Sequence, residues 1–296
     1  MPCPQSISPT GHASIRLLGT MPFAHSYPVI MVWMPFTPSH VAAAIPFLRT
    51  RLVPSALVIG CMAPDFMYFL RLSPQGAFGH TLPGVFVFDL PASLIALWLF
   101  HAYAKEPLYT WLPERVRQRI QLGPAALPVR NTTQFALVLL SILVGVATHI
   151  FWDSFTHRAF WAYHHWQFLH QMVRLPLIGN MEYLRVIQHV STVFGAAVLL
   201  LWFRHWYRRT LPTQPATTQQ PPKSPRVALI VICIVALSAA ILRGFLIPEL
   251  RNPHHYSGSK FLIERAVITA ITTFWMGVVV YGASRARARN KILNTS

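Results

Sequence analysis

Long apolar runs separated by short polar connections dominate this chain. Crossing about 30 Å of hydrocarbon as a helix takes about 20 mostly apolar residues. Five runs meet that length: 82–104, 134–155, 184–203, 227–247 and 262–283. A sixth run, 53–70, is marginal because it contains Pro64 and Asp65. The pattern predicts an all-α, polytopic integral membrane helical bundle with about six transmembrane helices.

A shorter apolar stretch, 41–48, precedes these runs and is too short to cross a membrane. It predicts an N-terminal half-depth or interfacial helix, capped at its start by Thr37 or Ser39. Residues 1–33 contain no span and no continuous apolar core of a signal peptide. We expect them to be a non-native extension, with Met34 as the true start, or a flexible one.

The polar connections divide the chain into segments. Residues 34–209 form the expected site-bearing membrane domain, and 226–284 form a two-helix membrane hairpin. Between them, 210–225 is rich in Pro, Thr and Gln, which predicts a cytoplasmic linker without regular structure. The basic residues 285–296 form a cytoplasmic tail.

Composition agrees with a membrane location. Hydrophobic residues make up 53% of the chain and charged residues 11%, against roughly 25% charged in soluble domains. This apolar content excludes a disordered chain. The net charge of +17 is spread between apolar runs, so we expect membrane lipids and no nucleic acid as partners. The oligomeric state is left open.

The basic residues also predict an orientation. The connections that include 49–51, 105–131 and 204–226, together with the C-terminal tail, hold 16 Lys and Arg, against 7 in the alternate connections. Short loops rich in Lys and Arg face the cytoplasm. With six spans, we therefore expect a multi-pass protein of the plasma (inner) membrane with both termini cytoplasmic.

The three aspartates are unusual because they lie inside apolar runs. Asp65, Asp89 and Asp153 would each cost about 2.5–3.5 kcal/mol as isolated charges in a membrane helix. Such side chains need partners, and the chain offers 14 histidines.

The strongest local arrangement is His149, Asp153 and His157, at i, i+4 and i+8. On a helix these side chains follow one stripe with about 6 Å between neighbours. They could bind one divalent cation, or they could form hydrogen-bonded pairs that satisfy buried polar groups. Asp65 lies near the outer end of the marginal span, and His80 immediately precedes the next span, also at the outer membrane face.

Four ligand-type side chains therefore converge at one depth: Asp65, His80, His149 and Asp153. Carboxylate and imidazole ligands without thiolates favour zinc, with manganese or iron as alternatives. Asp89, which lies deeper, could be a further ligand, an acceptor that orients an imidazole, or a proton-relay carboxylate. Asp89 and His157 are the candidates for a catalytic role such as general base.

Several motifs resemble those of the bacterial membrane family called domain of unknown function 4184. They are Met34-Pro-Phe-Thr-Pro-Ser-His40, residues 54–60 (PSALVIG), Pro64-Asp65-Phe66, Gly79-His80-Thr81 and the pair His149 and Asp153. The resemblance extends over residues 34–207 and implies a membrane protein of no established activity.

The order His, PD, GHT, HxxxD is also similar, more distantly, to putative membrane-bound metal-dependent hydrolases and to the zinc-dependent phospholipase C fold. That resemblance implies metal ligands at His40, Asp65, His80, His149 and Asp153, and a water activated against a phosphodiester. The chain has no later HxxxE pair, so we expect one or two metal ions rather than three.

Three functions remain open from the sequence. The first is a membrane-embedded metal-dependent hydrolase that acts near the outer face on a lipid-like or phosphoester substrate. The second is a small transporter or proton-coupled permease that uses the three intramembrane aspartates. The third is a membrane scaffold whose polar residues only hold helices together.

Overall fold

The computed structural model describes residues 37–73, 77–123, 127, 129, 131–176, 179–213, 223–246 and 259–294. The expected N-terminal extension, residues 214–222 of the linker and the loop 247–258 lie outside the described residues. The described chain is mostly helical. The α-helices are α1 Pro54–Gly60, α2 Phe66–Arg71, α3 Leu82–Trp111, α4 Glu114–Arg117, α5 Thr132–Asp153, α6 Trp161–His165, α7 Tyr183–Arg209, α8 Lys223–Ile241 and α9 Ser259–Leu293.

Shorter helical turns complete the backbone. The 3-10 helices are Thr37–Phe47, Ala63–Asp65, Ala77–His80 and Gln167–His170. Wider π turns occur inside α3 at Val85–Asp89 and Phe100–Ala104, and a third follows α8 at Leu242–Leu246.

Five helices in the described part of the chain are long and apolar enough to cross a membrane. Their spans are Leu82–Trp111, Thr132–Asp153, Tyr183–Arg209, Pro225–Gly244 and Leu262–Ile292. Each coincides with one of the five clear apolar runs, so these five predictions are confirmed.

The predicted sixth span is not a continuous helix. The run 53–70 is divided into α1, the 3-10 turn Ala63–Asp65 and α2. Pro64 has no N–H group and favours a break in the helix at this point. A count of six spanning helices is therefore not confirmed, and the described residues contain five.

A helical hairpin occupies the start of the described chain. The 3-10 helix Thr37–Phe47 leads into the bundle, and α1 leads back. The Thr37 hydroxyl donates to Asp65 Oδ2 at 2.7 Å, so the two ends of the hairpin lie together. Thr37 and Ser39 were expected to cap this helix, but Ser39 instead donates to the Thr192 carbonyl of α7.

The turn of this hairpin lies far from its ends. The Val53 N–H donates to the Ser141 hydroxyl of α5 at 2.8 Å, and Ser55 Oγ lies 3.0 Å from His101 Nε2 of α3. Ser141 precedes Asp153 by 12 residues, which is about 18 Å along a helix. The hairpin therefore reaches well into the bundle and returns to the end at which Asp153 lies.

Glycine allows α1 and α5 to touch through their backbones. A Cβ placed on Gly60 would come within 2.3 Å of the Ile142 carbonyl oxygen. One placed on Gly145 would come within 2.4 Å of the Leu57 carbonyl oxygen. Leu57, Ile142 and their neighbours are fully buried around this contact. The close approach fixes the position of the residues that follow α1.

The connection from α5 to α7 forms a small lobe with the only strands among the described residues. Strand β1, Met172–Leu175, pairs antiparallel with β2, Gly179–Glu182. An all-α chain was predicted, so this two-stranded sheet corrects that prediction. The four-residue strands are too short to show alternation clearly, which explains the omission.

An acidic side chain holds the lobe together. Glu182 accepts hydrogen bonds from Tyr163 through Oε1 at 2.7 Å and from Arg158 through Oε2. Partial burial opposes ionisation of Glu182, but these hydrogen bonds outweigh it and lower its pKa. The lobe is thus tied together by a charged acceptor that stays ionised at neutral pH.

The rear hairpin of α8 and α9 packs against the front of the bundle. Gly282 of α9 lies against the Tyr103 carbonyl, which a Cβ would overlap. The Thr272 hydroxyl donates to the Phe69 carbonyl of α2 at 3.3 Å. The rear hairpin is therefore in contact with α2 and with α3, the helix that carries Asp89.

We predict that Gly145→Ala destabilises the protein although alanine is the better helix former by about 0.5–1 kcal/mol. The added methyl group meets backbone atoms that cannot move independently, and overpacking typically costs about 1–3 kcal/mol. The measurement is the thermal unfolding midpoint in detergent. Gly123→Ala is the matched control, because a Cβ there meets only Lys105 Nζ at 3.9 Å. Equal or higher stability of Gly145→Ala would contradict the close-packing argument.

Candidate metal centre

Four predicted ligands come together at one end of the bundle. Asp65 ends the 3-10 turn that follows α1, and His80 ends the 3-10 helix before α3. His149 and Asp153 lie one turn apart at the end of α5. Local sequence explains three of these positions: Pro64 breaks the helical run directly before Asp65, and the HxxxD spacing puts both α5 side chains on one face.

The distances among the four side chains are nearly symmetric. His80 Nε2 lies 3.2 Å from Asp153 Oδ2 and 3.7 Å from Asp65 Oδ1. His149 Nε2 lies at the same two distances from the same two oxygens. One ligand atom from each residue thus lies within 4.8 Å of all the others. Tetrahedral zinc with ligand bonds of about 2.0–2.2 Å has neighbouring ligand atoms about 3.3–3.6 Å apart.

His149 is oriented as a metal ligand would be. Its Nδ1 lies 2.7 Å from the Cys61 carbonyl oxygen, and a carbonyl can only accept, so Nδ1 carries the hydrogen. In the neutral imidazole Nε2 then carries the lone pair. This atom is buried without a hydrogen-bond partner among the described residues, 3.2 Å from Asp153 Oδ2. Metal-bound imidazoles are held in this way, through a hydrogen bond from the other ring nitrogen.

Burial and charge also fit a cation. Asp65, His149 and Asp153 are buried, and His80 is nearly so. Two ionised carboxylates this close repel each other, and burial strengthens the repulsion. A divalent cation would balance both charges. The four residues thus form a buried group that could hold a metal ion, although nothing in their arrangement identifies the metal.

His40 and His157 lie on the other side of Asp153. His40 Nε2 is 3.4 Å and His157 Nδ1 is 3.5 Å from Asp153 Oδ1, whereas His80 and His149 approach Oδ2. The His40 ring stacks on His149 with centroids 4.2 Å apart. Both residues are therefore neighbours of the four-residue group, but neither belongs to it.

Asp89 is close to the group and separate from it. It is fully buried, and neither carboxylate oxygen has a hydrogen-bond partner among the described residues. Its Oδ1 lies against Gly79, where a Cβ would come within 2.9 Å. The expected hydrogen bond from an imidazole to Asp89 is therefore not observed, and its other predicted roles stay predictions.

Two residues at the centre were not predicted from the sequence. Thr37 binds Asp65 Oδ2 through its hydroxyl and leaves Oδ1 facing the histidines. Phe160 places its ring edge-on to His80 and to His157, with centroids 5.9 and 6.4 Å apart. Thr37 lies in the PFTPSH motif, so the sequence contained a signal that could have identified it as a site residue. No spacing pattern singles out Phe160.

Comparison with known proteins identifies a family. The model of "Domain of unknown function (DUF4184)" matches residues 34–283. The match extends past the predicted 34–207 and includes the rear hairpin. No curated protein and no solved structure matches the chain, so the expected likeness to metal-dependent hydrolases and phospholipase C gains no support from relatives. Because the family model covers most of its length, the chain belongs to the DUF4184 family.

Proposed function

We propose that this protein is a membrane-embedded, metal-dependent hydrolase. The observation that carries the proposal is the group Asp65, His80, His149 and Asp153, whose ligand atoms all lie within 4.8 Å of one another. Two imidazoles and two carboxylates without a thiolate suit zinc, and also manganese or iron. The buried thiol of Cys61 faces the Thr148 hydroxyl at 3.4 Å.

A divalent metal at this position would act as a Lewis acid and lower the pKa of a bound water toward about 7. The chain supplies the remaining groups. His157 is the most exposed imidazole beside Asp153, so it is placed to accept a proton from water. In the overall hydrolysis, the hydroxyl of water joins the acid part of an ester, and the leaving alcohol takes the proton.

The positions of the aspartates favour this function over a proton-coupled transporter. A carboxylate relay across a membrane needs groups at several depths. Asp65 and Asp153 instead share one group, and Asp89 packs beside Gly79, next to His80. A scaffold would satisfy its buried polar atoms with hydrogen bonds, whereas His149 Nε2 makes none among the described residues, although Asp153 Oδ2 lies 3.2 Å away.

We further propose that the centre faces the outside of the cell. Arg49 and Arg51 lie at the turn of the front hairpin, opposite the centre, as do the basic ends of α7 and α9. Thr37 begins the described chain at the centre. The hairpin begins and ends on the same side of the membrane, and the five spanning helices that follow cross it five times. This puts Thr37 outside and keeps the C-terminal end of α9 inside, as expected.

Metal content gives the first test. We expect the purified protein to contain about one tightly bound divalent metal ion per chain, measured by elemental analysis. His149→Ala should abolish binding because it removes one of four ligands. His205→Ala is the matched control, since His205 is an exposed histidine of α7. Metal-free native protein, or a His149→Ala variant with unchanged metal content, would overturn the proposal.

A second test uses Thr37, which holds Asp65 without belonging to the group. Thr37→Val keeps the side-chain shape and removes the hydrogen bond to Oδ2. We expect metal affinity to fall by about 10- to 100-fold, the usual effect of losing such a partner. Affinity is measured by competition with a chromophoric chelator. Thr110→Val, which loses only a bond to the Pro107 carbonyl, should leave affinity unchanged.

The orientation is tested by labelling. A cysteine introduced as Ala159→Cys, in the exposed lobe, should react with an impermeant thiol reagent in intact cells. One introduced as Thr213→Cys, beyond the other end of α7, should react only after permeabilisation. The reverse pattern would put the centre on the cytoplasmic side and contradict the outer location.

A further inference from the structure

The candidate centre is open on one side only. Of Asp153 and the five ionisable side chains around it, only His80 and His157 have noticeable exposure, at 10% and 27%. The side chains of His40, Asp65, His149 and Asp153 are at most 4% exposed. A molecule that reaches the centre must therefore approach the edge formed by His80 and His157.

One aromatic side chain lies across this edge. Phe160 contacts the rings of both exposed histidines edge-on. It lies at the end of the irregular segment that follows α5, directly before α6. Arg158 and Tyr163 flank it, and both bind Glu182, so the hydrogen bonds that hold the lobe together also fix the position of Phe160.

The surface that adjoins the opening is apolar. Phe78 and Leu82 lie two residues either side of His80 and are 42% and 76% exposed. Below them, Phe86 and Val87 are exposed on α3, within a span that faces lipid. Exposed apolar side chains are thus present both next to His80 and on the membrane-spanning part of α3. An acyl chain can follow such a surface, whereas a wholly polar solute gains nothing from it.

We propose that the centre takes its substrate from the bilayer and that Phe160 is the specificity-determining residue at its entrance. The substrate is an amphiphile with a hydrolysable ester at its headgroup. The headgroup passes Phe160 to reach the edge of His80 and His157, while the chains remain beside Phe78, Leu82 and Phe86. The identification of the substrate class rests on the proposed hydrolase function, but the position and selectivity of the entrance do not.

The test measures access without requiring a metal or a known substrate. A His80→Cys variant of the full-length protein in liposomes, stripped of metal, is treated with two thiosulfonates, one carrying a hexyl group and one a trimethylammonium group. Modification rates at position 80 are followed by peptide mass spectrometry, which separates this site from the native cysteines. We expect the hexyl reagent to react at least about tenfold faster, because it partitions into the bilayer beside the opening.

Removal of the aromatic ring should then open the entrance. Adding Phe160→Ala should raise the rate of the trimethylammonium reagent by about tenfold, the scale expected from losing the remaining edge-to-face contact with His157. The rate of the hexyl reagent should rise less, so that its preference falls. Phe168→Ala is the matched control, because Phe168 is an exposed aromatic residue of the same lobe that contacts Trp166 and Tyr183. It should leave both rates within about twofold of the parent, since its ring contacts are remote from the histidines.

The outcomes separate the two proposals. Equal rates for the two reagents in the parent would overturn the bilayer route, and equal effects of Phe160→Ala and Phe168→Ala would overturn the role of Phe160. Either result leaves metal binding by the four-residue group unaffected. Conversely, suppose that position 80 is labelled as expected and that the native protein binds no metal. That result would support the proposed entrance and reject the proposed hydrolase function.

Discussion

Two buried carboxylates, Asp65 and Asp153, lie side by side, and much of the front half of the molecule compensates for their charge. Each carboxylate uses one oxygen for the shared centre and the other for a separate partner. Thr37 donates to the second oxygen of Asp65, and His40 and His157 approach that of Asp153. Without such partners, two charges removed from water would cost several kcal/mol each. The hairpin and the segment that follows α5 therefore both supply side chains that compensate the charge of these two carboxylates.

The sequence was sufficient to predict the parts of this arrangement that depend on local spacing and on hydrophobic length. Five spanning helices follow from apolar runs of about 20 residues. His149 and Asp153 follow from the helical repeat, which puts i and i+4 on one face. Asp65 and His80 were found because carboxylates in apolar runs are rare and because both residues lie at the same end of predicted spans. These signals need no knowledge of how distant segments pack.

The remaining features depend on contacts between distant segments, which spacing does not encode. The depth of the front hairpin follows from Thr37 meeting Asp65 and Val53 meeting Ser141, pairs separated by 28 and 88 residues. The predicted sixth span is not confirmed, because the run 53–70 is broken between α1 and α2 by the turn that contains Pro64 and Asp65. His40 lies beside the other oxygen of Asp153 with its ring stacked on His149, a position that spacing does not encode, and its role as a ligand stays a prediction. The short strands of the lobe carried too few residues for a pattern.

The separation of these segments along the chain also fixes the order in which synthesis supplies them. Cys61, whose carbonyl orients His149, leaves the ribosome 88 residues before its partner. During that interval Gly60 has no α5 to pack against, and Asp65 has no imidazole from that helix. Contacts of such long range form late because the loop between them must close first. The front hairpin therefore waits, incompletely packed, for α5 to insert, and in a nascent chain that ends before His149 the Asp65 carboxylate has Thr37 and His80 beside it but lacks the second imidazole of the centre.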